Sequence, residues 1–110
     1  MTGKELANKI AAAAADKKAR DILLLNMEGL SSVTDYFMIC SAPSTTQVRA
    51  IADGIEDKLA QEGKLPAHYW VLLDYGDCVA HVFQESQRNF YNLEQLWADA
   101  PSESYTETEA

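Results

Sequence analysis

The side chains best able to act as nucleophiles or metal ligands in this chain are two cysteines, Cys40 and Cys78, and two histidines, His68 and His81. Structural zinc sites use closely spaced pairs such as Cys-x-x-Cys, and no such pair occurs here. Cys78 and His81 stand three residues apart on a predicted strand, so they point to opposite faces. A pair of Cys40 with His81 on a neighbouring strand stays open, as does a disulfide. Two buried thiols are favoured, because both cysteines lie in apolar runs.

Asp74 and Asp77 are the carboxylates whose spacing comes nearest to that of a metal-dependent nucleotidyltransferase. Such an enzyme holds its metal ions with carboxylates that leave one face of a strand, as in Asp-x-Asp. Here the spacing is three, across Gly76, which favours Asp77 as a turn residue. The chain also lacks the Gly-x-x-x-x-Gly-Lys, Gly-x-Gly-x-x-Gly and Gly-x-Ser-x-Gly motifs. These features favour a binding protein over an enzyme, with neither a cofactor nor a metal.

His81 and Arg88 are polar residues that need partners within the fold. His81 lies in the middle of an apolar strand, and a hydrogen-bonded histidine on a partly buried face is favoured over a metal ligand or a base. Arg88 lies near the start of a predicted helix, where the helix dipole disfavours positive charge. We therefore expect Arg88 to pair with a carboxylate such as Glu94 or Asp74.

The charge of the chain is distributed unevenly around a net value of −8. Residues 1–20 hold five basic and two acidic side chains, whereas residues 21–110 hold four basic and fifteen acidic ones. Because an acidic body repels phosphates, we expect no direct binding of nucleic acid, and a partner close to nucleic acid would be a basic protein. No apolar run is long enough to span a membrane, and residues 1–9 resemble neither a signal nor a transit peptide. We expect a cytoplasmic protein.

Turn residues and apolar periodicity predict the elements that must position these side chains. Thr2-x-x-Glu5 and Ser44-x-x-Gln47 have the pattern of capping boxes that open helices. The predicted elements are a helix at 3–19, strands at 21–27 and 35–41, a helix from 44 to 63, strands at 69–75 and 78–83 joined by a turn, and a helix from 86 towards 100.

The order α-β-β-α-β-β-α predicts an α/β (mixed α+β) fold. A mixed sheet of four to five strands would pack with helices in one domain, residues 1–100. The helix 44–63 permits a right-handed parallel crossover between the second and third strands. Ser86 is expected to cap the last helix, and the acidic residues 101–110 are expected to form a disordered tail.

Trp70, Leu72 and Asp74 alternate along the third predicted strand and therefore share one of its faces. With four strands and only three helices, one face of the sheet is expected to be incompletely covered. On such a face these side chains would form a protein-docking patch. A position of Trp70 beneath a helix stays open as the alternative. The last helix is expected to face the core with Phe90, Leu93 and Trp97.

Longer segments carry a pattern beyond these single motifs. They are the strand 21–26 followed by Asp35-Tyr36-Phe37-x-Ile39-Cys40; Gln47-Val48-x-Ala50-Ile51-Ala52-Asp53; Trp70-Val-Leu-Leu-Asp74-Tyr-Gly76-Asp77-x-Val79-x-His81-Val-Phe83; and Arg88-x-x-Tyr91-x-Leu93-Glu94-x-Leu96-Trp97. Each segment alone is weakly specific, but the set in this order spans residues 3–101. On these segments the chain resembles the ribosomal silencing factor (Iojap-like) family.

The resemblance implies a fold like a trimmed nucleotidyltransferase without the catalytic carboxylates. It implies a translational repressor that binds protein fourteen of the large ribosomal subunit and blocks association with the small subunit. Organelle relatives imply large-subunit assembly as an alternative role, and a nucleotidyltransferase-type enzyme is the more distant alternative. Trp70 corresponds to a family tryptophan at the docking surface. With the strand pattern this gives a candidate partner-binding set of Trp70, Leu72, Asp74, Asp77 and His81.

The segment between the middle helix and the hairpin, residues 59–70, is shorter than is usual in that family. Glu62-Gly63 fits either the end of the helix or the family's own Glu-Gly pair. We expect the strand at this edge of the sheet to be reduced or missing. The family's dimer contacts in this segment, and with them a homodimer of this chain, stay open.

Overall fold

The structure, a computed structural model, describes residues 2–32, 34–59, 64–65 and 70–105. Its helices are α1 (Gly3–Asp16), α2 (Thr45–Leu59), α3 (Glu85–Tyr91) and α4 (Leu93–Leu96); its strands are β1 (Arg20–Asn26), β2 (Tyr36–Ala42), β3 (Lys64–Leu65), β4 (Trp70–Asp74), β5 (Cys78–Gln84) and β6 (Ser102–Ser104). The predicted mixed α/β class is confirmed. His68, Tyr69 and the Glu62-Gly63 pair lie outside the described residues.

One mixed sheet contains all the described strands, in the order β3-β4-β5-β2-β1-β6. The pair β2–β5 is parallel and the other neighbouring pairs are antiparallel. The predicted parallel crossover through α2 therefore does not join the second predicted strand to the third, because β4 runs against β2 and β5 lies between them. At the α2 side of the hairpin, β3 covers Lys64–Leu65, and the residues on either side of it lie outside the described part, so the expected reduction of this strand stays a prediction.

Both predicted capping positions take part in hydrogen bonds at helix starts. Thr2 Oγ1 accepts from the Glu5 N–H at 3.1 Å, and Glu5 Oε1 accepts from the Thr2 N–H at 3.4 Å, so the first capping box is complete. Ser44 Oγ accepts from the Gln47 N–H at 3.2 Å, but the Gln47 side chain donates to the Lys17 carbonyl instead of turning back. That bond ties the start of α2 to the end of α1.

The two faces of the sheet are covered unequally. Alanines of α1 and the apolar stripe of α2 pack on one face, against alternate residues of β2 and β5. The opposite face carries a smaller cluster that includes Leu25, Ile39 and Phe83. Its cover comes from the C-terminal segment, where Leu93 and Trp97 are only partly buried. This second face is called the open face below.

The predicted last helix is interrupted, which corrects the expectation of one continuous apolar stripe. Asn92 adopts a left-handed conformation with φ of 48° and separates α3 from α4. Ser86 lies inside α3 rather than capping it, and its hydroxyl donates to Gln84 Oε1. Leu93 and Trp97 still pack on the open face, whereas the side chain of Phe90 lies outside the described part.

Arg88 of α3 has the carboxylate partner that its position in the sequence predicts. Its Nε lies 3.3 Å from Glu94 Oε1, and its Nη1 donates to the Asp21 carbonyl at 2.6 Å and to Ser41 Oγ at 3.2 Å. The arginine side chain is only 11% exposed. It therefore fastens the C-terminal segment to β1 and β2 at one end of the open face.

Part of the segment expected to be a disordered tail forms a strand, so that prediction is wrong for Ser102–Ser104. These residues are β6 and pair antiparallel with β1. The Asn26 N–H donates to the Pro101 carbonyl at 2.8 Å, and the Tyr105 N–H donates to the Ile22 carbonyl at 2.9 Å. Unpaired backbone groups at the β1 edge favour such pairing, and composition does not reveal it. Residues 106–110 lie outside the described part.

Candidate functional site

The docking patch predicted on β4 lies on the open face. Trp70 and Leu72 are half-buried and Asp74 is exposed, whereas the alternate residues Val71 and Leu73 are buried on the helix side. Trp70 packs with the cluster of the open face. The prediction that the three residues share one face is confirmed, and Trp70 does not lie beneath α1 or α2.

Strand β5 supplies the neighbours of this patch. In the antiparallel register Trp70 lies opposite Phe83, Leu72 opposite His81, and Asp74 opposite Val79. Side chains opposite each other in antiparallel strands point to the same face, so all six side chains lie on the open face. The structure thus brings together four of the five candidate residues.

A groove of about 520 Å³ runs beside the patch on the open face. Residues at positions 30–32 and 34, together with residues of β2, β4, β5 and the chain after α4, line it. They are Leu30, Ser31, Ser32, Thr34, Phe37, Leu72, Asp74, Val79, His81 and Trp97. The groove is mainly apolar, and Leu30 at its rim is 43% exposed. Such a surface fits a protein partner that offers apolar side chains.

Leu30, Phe37 and Trp97 are groove residues that the sequence prediction of the site missed. Trp97 was expected in the core, and it does pack with the open-face cluster while also lining the groove. Phe37 alternates on β2 as Trp70 does on β4, which is the signal that could have found it. Leu30 follows the turn glycine Gly29, and an apolar residue after a turn does not by itself indicate a site.

His81 is the buried polar residue at the floor of this site. It is 4% exposed, and the Trp70 Nε1–H donates to His81 Nδ1 at 3.1 Å. Within the part of the chain that the structure describes, its Nε2 has no hydrogen-bond partner. Burial lowers the pKa of His81 to about 4, so its imidazole is neutral at neutral pH. The expectation of a hydrogen-bonded histidine is confirmed, and its low pKa makes it a poor base.

Asp74 and Asp77 both serve the turn between β4 and β5. Asp74 Oδ1 accepts from the Gly76 N–H at 2.9 Å, and Gly76 has a φ of 80°, which glycine adopts without strain. The Asp77 carbonyl accepts from the N–H groups of Asp35 and Tyr36. Asp74 also lines the groove, whereas Asp77 belongs to the turn. Within the described residues no group of three His, Cys, Asp or Glu side chains could hold a metal ion.

The two cysteines are free, buried thiols on the helix side of the sheet. Cys78 lies opposite Tyr36, and Cys40 is four residues further along β2, roughly 13 Å away. A disulfide requires α-carbons within about 7 Å, so the two cannot bond. Burial raises the pKa of each thiol to about 12. His81 points to the opposite face, which removes the Cys40–His81 pair as a nucleophile and base.

Comparison with known proteins identifies the family of this chain. A family model described as "Ribosomal silencing factor during starvation" matches residues 1–110. The chain belongs to the ribosomal silencing factor family. It is 48% identical over 108 residues to the ribosomal silencing factor RsfS of Bacillus subtilis, with 92% of each chain covered. It is 39% identical over 98 residues to the chloroplastic protein Iojap of Zea mays, covering 83% of this chain and 42% of that one.

Solved structures of similar proteins share the fold. A crystal structure from Bacillus halodurans superposes with a TM-score of 0.79 at 38% identity, covering 93% of this chain and 99% of that one. The crystal structure of protein CV0518 from Chromobacterium violaceum gives a TM-score of 0.81 at 28% identity, covering 100% and 93%. The resemblance inferred from the sequence segments is therefore confirmed. No helix among the described residues is both long and apolar enough to cross a membrane.

Proposed function

We propose that this protein represses translation by binding the large ribosomal subunit through its protein fourteen, and so blocks association with the small subunit. The observation that carries the proposal is the family match over residues 1–110. The relatives from Bacillus subtilis and Halalkalibacterium halodurans are both named ribosomal silencing factors, at 48% and 43% identity. A ribosome-directed role is thus supported by the family, and the partner protein and the block of subunit association are the proposed details.

The open face supports a protein-docking role. It presents a half-buried tryptophan, Trp70, beside a mainly apolar groove, and the exposed carboxylate of Asp74 lies at the rim. Aromatic side chains in partly desolvated positions tend to carry the binding energy of protein interfaces. The proposed contact set is Trp70, Leu72 and Asp74, with Asp77 in the adjoining turn and His81 beneath.

The charge of the chain supports a basic partner. Residues 21–110 hold fifteen acidic and four basic side chains, so the body would repel ribosomal RNA. A basic ribosomal protein surface offers the complementary charge, which speeds association and fixes orientation. Because charge pairs at the rim of an interface are screened by salt, the proposed association should weaken as ionic strength rises.

The test is co-sedimentation with purified large subunits. In a sucrose gradient we expect the wild-type chain to migrate with free large subunits and to be absent from joined ribosomes. Trp70→Ala should weaken binding by about 2 kcal/mol or more, because it removes the aromatic anchor of the patch. Binding of wild-type protein to small subunits alone, or to no subunit, would contradict the proposal.

A matched control is available at the other edge of the sheet. Tyr105 is a half-buried aromatic residue that packs on the helix side next to β6. Tyr105→Ala removes an aromatic ring of similar exposure, yet it should leave subunit binding unchanged. Equal losses from Trp70→Ala and Tyr105→Ala would mean that the patch is misplaced.

Addition of isolated protein fourteen as a competitor then tests the partner itself, since it should displace the chain from large subunits.

A further inference from the structure

The indole of Trp70 is held from two directions on the open face. Its ring stacks on Phe83 with centroids 4.9 Å apart and planes inclined by 23°. Its Nε1–H donates to His81 Nδ1 at 3.1 Å, across the diagonal of the β4–β5 pair. Stacking alone lets a ring slide in its plane, whereas a hydrogen bond fixes one edge. The two contacts together define both the tilt and the rotation of the indole.

The side chain that accepts this bond is itself buried and closely packed. His81 lies on β5 between β4 and β2, and it is 4% exposed. The ring of Phe37 meets it edge to face at 4.7 Å and 71°. A buried ring packed between the rings of Phe37 and Trp70 can change rotamer only if those neighbours move. His81 therefore offers Trp70 a fixed acceptor at a fixed place.

The hydrogen-bonding pattern decides which tautomer His81 adopts. A neutral imidazole has one donor and one acceptor nitrogen. Since Nδ1 accepts from Trp70, the proton must lie on Nε2, which is buried and has no hydrogen-bond partner among the described residues. An unsatisfied buried N–H costs free energy that a phenylalanine at this position would not incur. What His81 provides at this position and phenylalanine would lack is the acceptor Nδ1 for the Trp70 N–H. Burial lowers the pKa of His81 to about 4, so Nδ1 remains an acceptor throughout the neutral range.

We infer that His81 is a positioning residue for docking, which acts through Trp70 by holding the indole in its binding orientation before the partner arrives. The inference rests on the proposed function and refines the role of His81 within it: His81 need not contact the partner. A side chain that is already ordered loses less conformational freedom on binding, so pre-orientation raises affinity. The expected contribution is about five-fold in the dissociation constant.

A double-mutant cycle separates this role from simple packing. His81→Phe keeps an aromatic ring but removes the acceptor, and Trp70→Phe keeps an aromatic ring but removes the donor. His81→Phe alone should weaken binding to purified large subunits about five-fold. In the Trp70→Phe background the same change should alter binding less than two-fold, because no N–H is left to position. Equal effects of His81→Phe in both backgrounds would overturn the inference.

A second variant and measurements on the free protein guard against a folding artefact. His81→Asn places a carbonyl oxygen near the position of Nδ1, and it should bind subunits more tightly than His81→Phe does. The indole N–H signal of Trp70, assigned by its loss in Trp70→Phe, should shift and exchange faster with deuterium in His81→Phe. An unchanged signal would overturn the inference. Urea unfolding of each variant confirms that binding is measured on folded protein.

The outcomes keep the two proposals distinguishable. If the wild-type chain fails to bind large subunits, the proposed function fails, and a docking role for His81 fails with it. If the wild-type chain binds and Trp70→Ala does not, while His81→Phe binds as tightly as wild type, only the inference fails. A five-fold loss that disappears in the Trp70→Phe background supports both.

Discussion

The two faces of the sheet are built from the same strands and differ in how completely they are closed. On the helix side α1 and α2 bury alternate residues of β2, β4 and β5 in a continuous apolar cluster. On the open face the cover is a short C-terminal segment, and a groove remains beside β4. The Nε2 atom of His81 is buried there without a hydrogen-bond partner in residues 2–32, 34–59, 64–65 and 70–105. The helix side is thus a closed apolar core. The open face keeps a groove and a buried polar nitrogen, which stability alone would not favour.

Neighbouring leucines on β4 give the sharpest test of that difference. Leu73 points to the helix side and is fully buried, whereas Leu72 points to the open face and is half-buried. Leu73→Ala should lower the free energy of unfolding by about 2–5 kcal/mol, because it leaves a cavity in a packed core. Leu72→Ala should lower it by about 1 kcal/mol and should weaken subunit binding instead. Urea unfolding and co-sedimentation measure the two effects. If both variants lost stability equally, the open face would be an ordinary core.

Acid should destabilise the open face through His81. The pKa of His81 is about 4 in the folded protein and 6.5 in an unfolded chain, because burial disfavours the imidazolium. The stabilisation from its neutral form is therefore complete above 6.5 and falls as the pH drops from 6.5 towards 4. The loss reaches about 3 kcal/mol at pH 4.

Comparison with His81→Phe isolates this effect from the titration of carboxylates, which both proteins share. Urea unfolding of the two proteins at pH 7 and pH 4.5 should show a smaller acid loss in the variant. An identical loss in both would mean that His81 does not contribute to the acid sensitivity, and that its environment is more polar than the structure indicates.

Arg88 should contribute less to the free energy of unfolding, since it ties the C-terminal segment to only one end of the open face. Arg88→Met removes hydrogen bonds to the Asp21 carbonyl, Ser41 and Glu94, and it should cost about 2 kcal/mol of unfolding free energy. The control is Arg20→Met, which removes an exposed ion pair with Glu85 and should cost less than about 1 kcal/mol. Chemical denaturation of both variants checks the ranking, and the reverse order would contradict it. Neither variant should weaken subunit binding, because both arginines lie away from the proposed contact set.

Features fixed by local spacing could be predicted from the sequence. The Thr2–Glu5 capping box and the alternation of Trp70, Leu72 and Asp74 depend only on residues a few positions apart. The pattern of turn residues also places the hairpin correctly, with β4 and β5 antiparallel. The incomplete cover of one sheet face could also be predicted, because four predicted strands are accompanied by only three predicted helices.

Features that depend on distant pairing could not be predicted in the same way. Strand β6 forms because the edge of β1 has backbone groups to satisfy, and nothing in the composition of Ser102–Ser104 favours a strand. The break at Asn92 lets Leu93 and Trp97 pack on the sheet, which a continuous helix would not position in the same way. The bond from Trp70 to His81 needs the register of two strands, and alternation along one strand does not supply it.

The parallel pairing of β2 with β5 has a consequence for when the open face can form during synthesis of the chain. Among the described strands, β4 is joined to β2 and β1 through β5 alone. The β1–β2 hairpin can form while the chain is still short, but the face that carries Trp70 needs residues 78–84 to have joined β2. Because domains fold as their segments leave the ribosome, we expect a chain that is only partly synthesised to lack a docking face. If the chain represses translation as proposed, a nascent copy that lacks β5 would therefore not bind the large subunit that is making it.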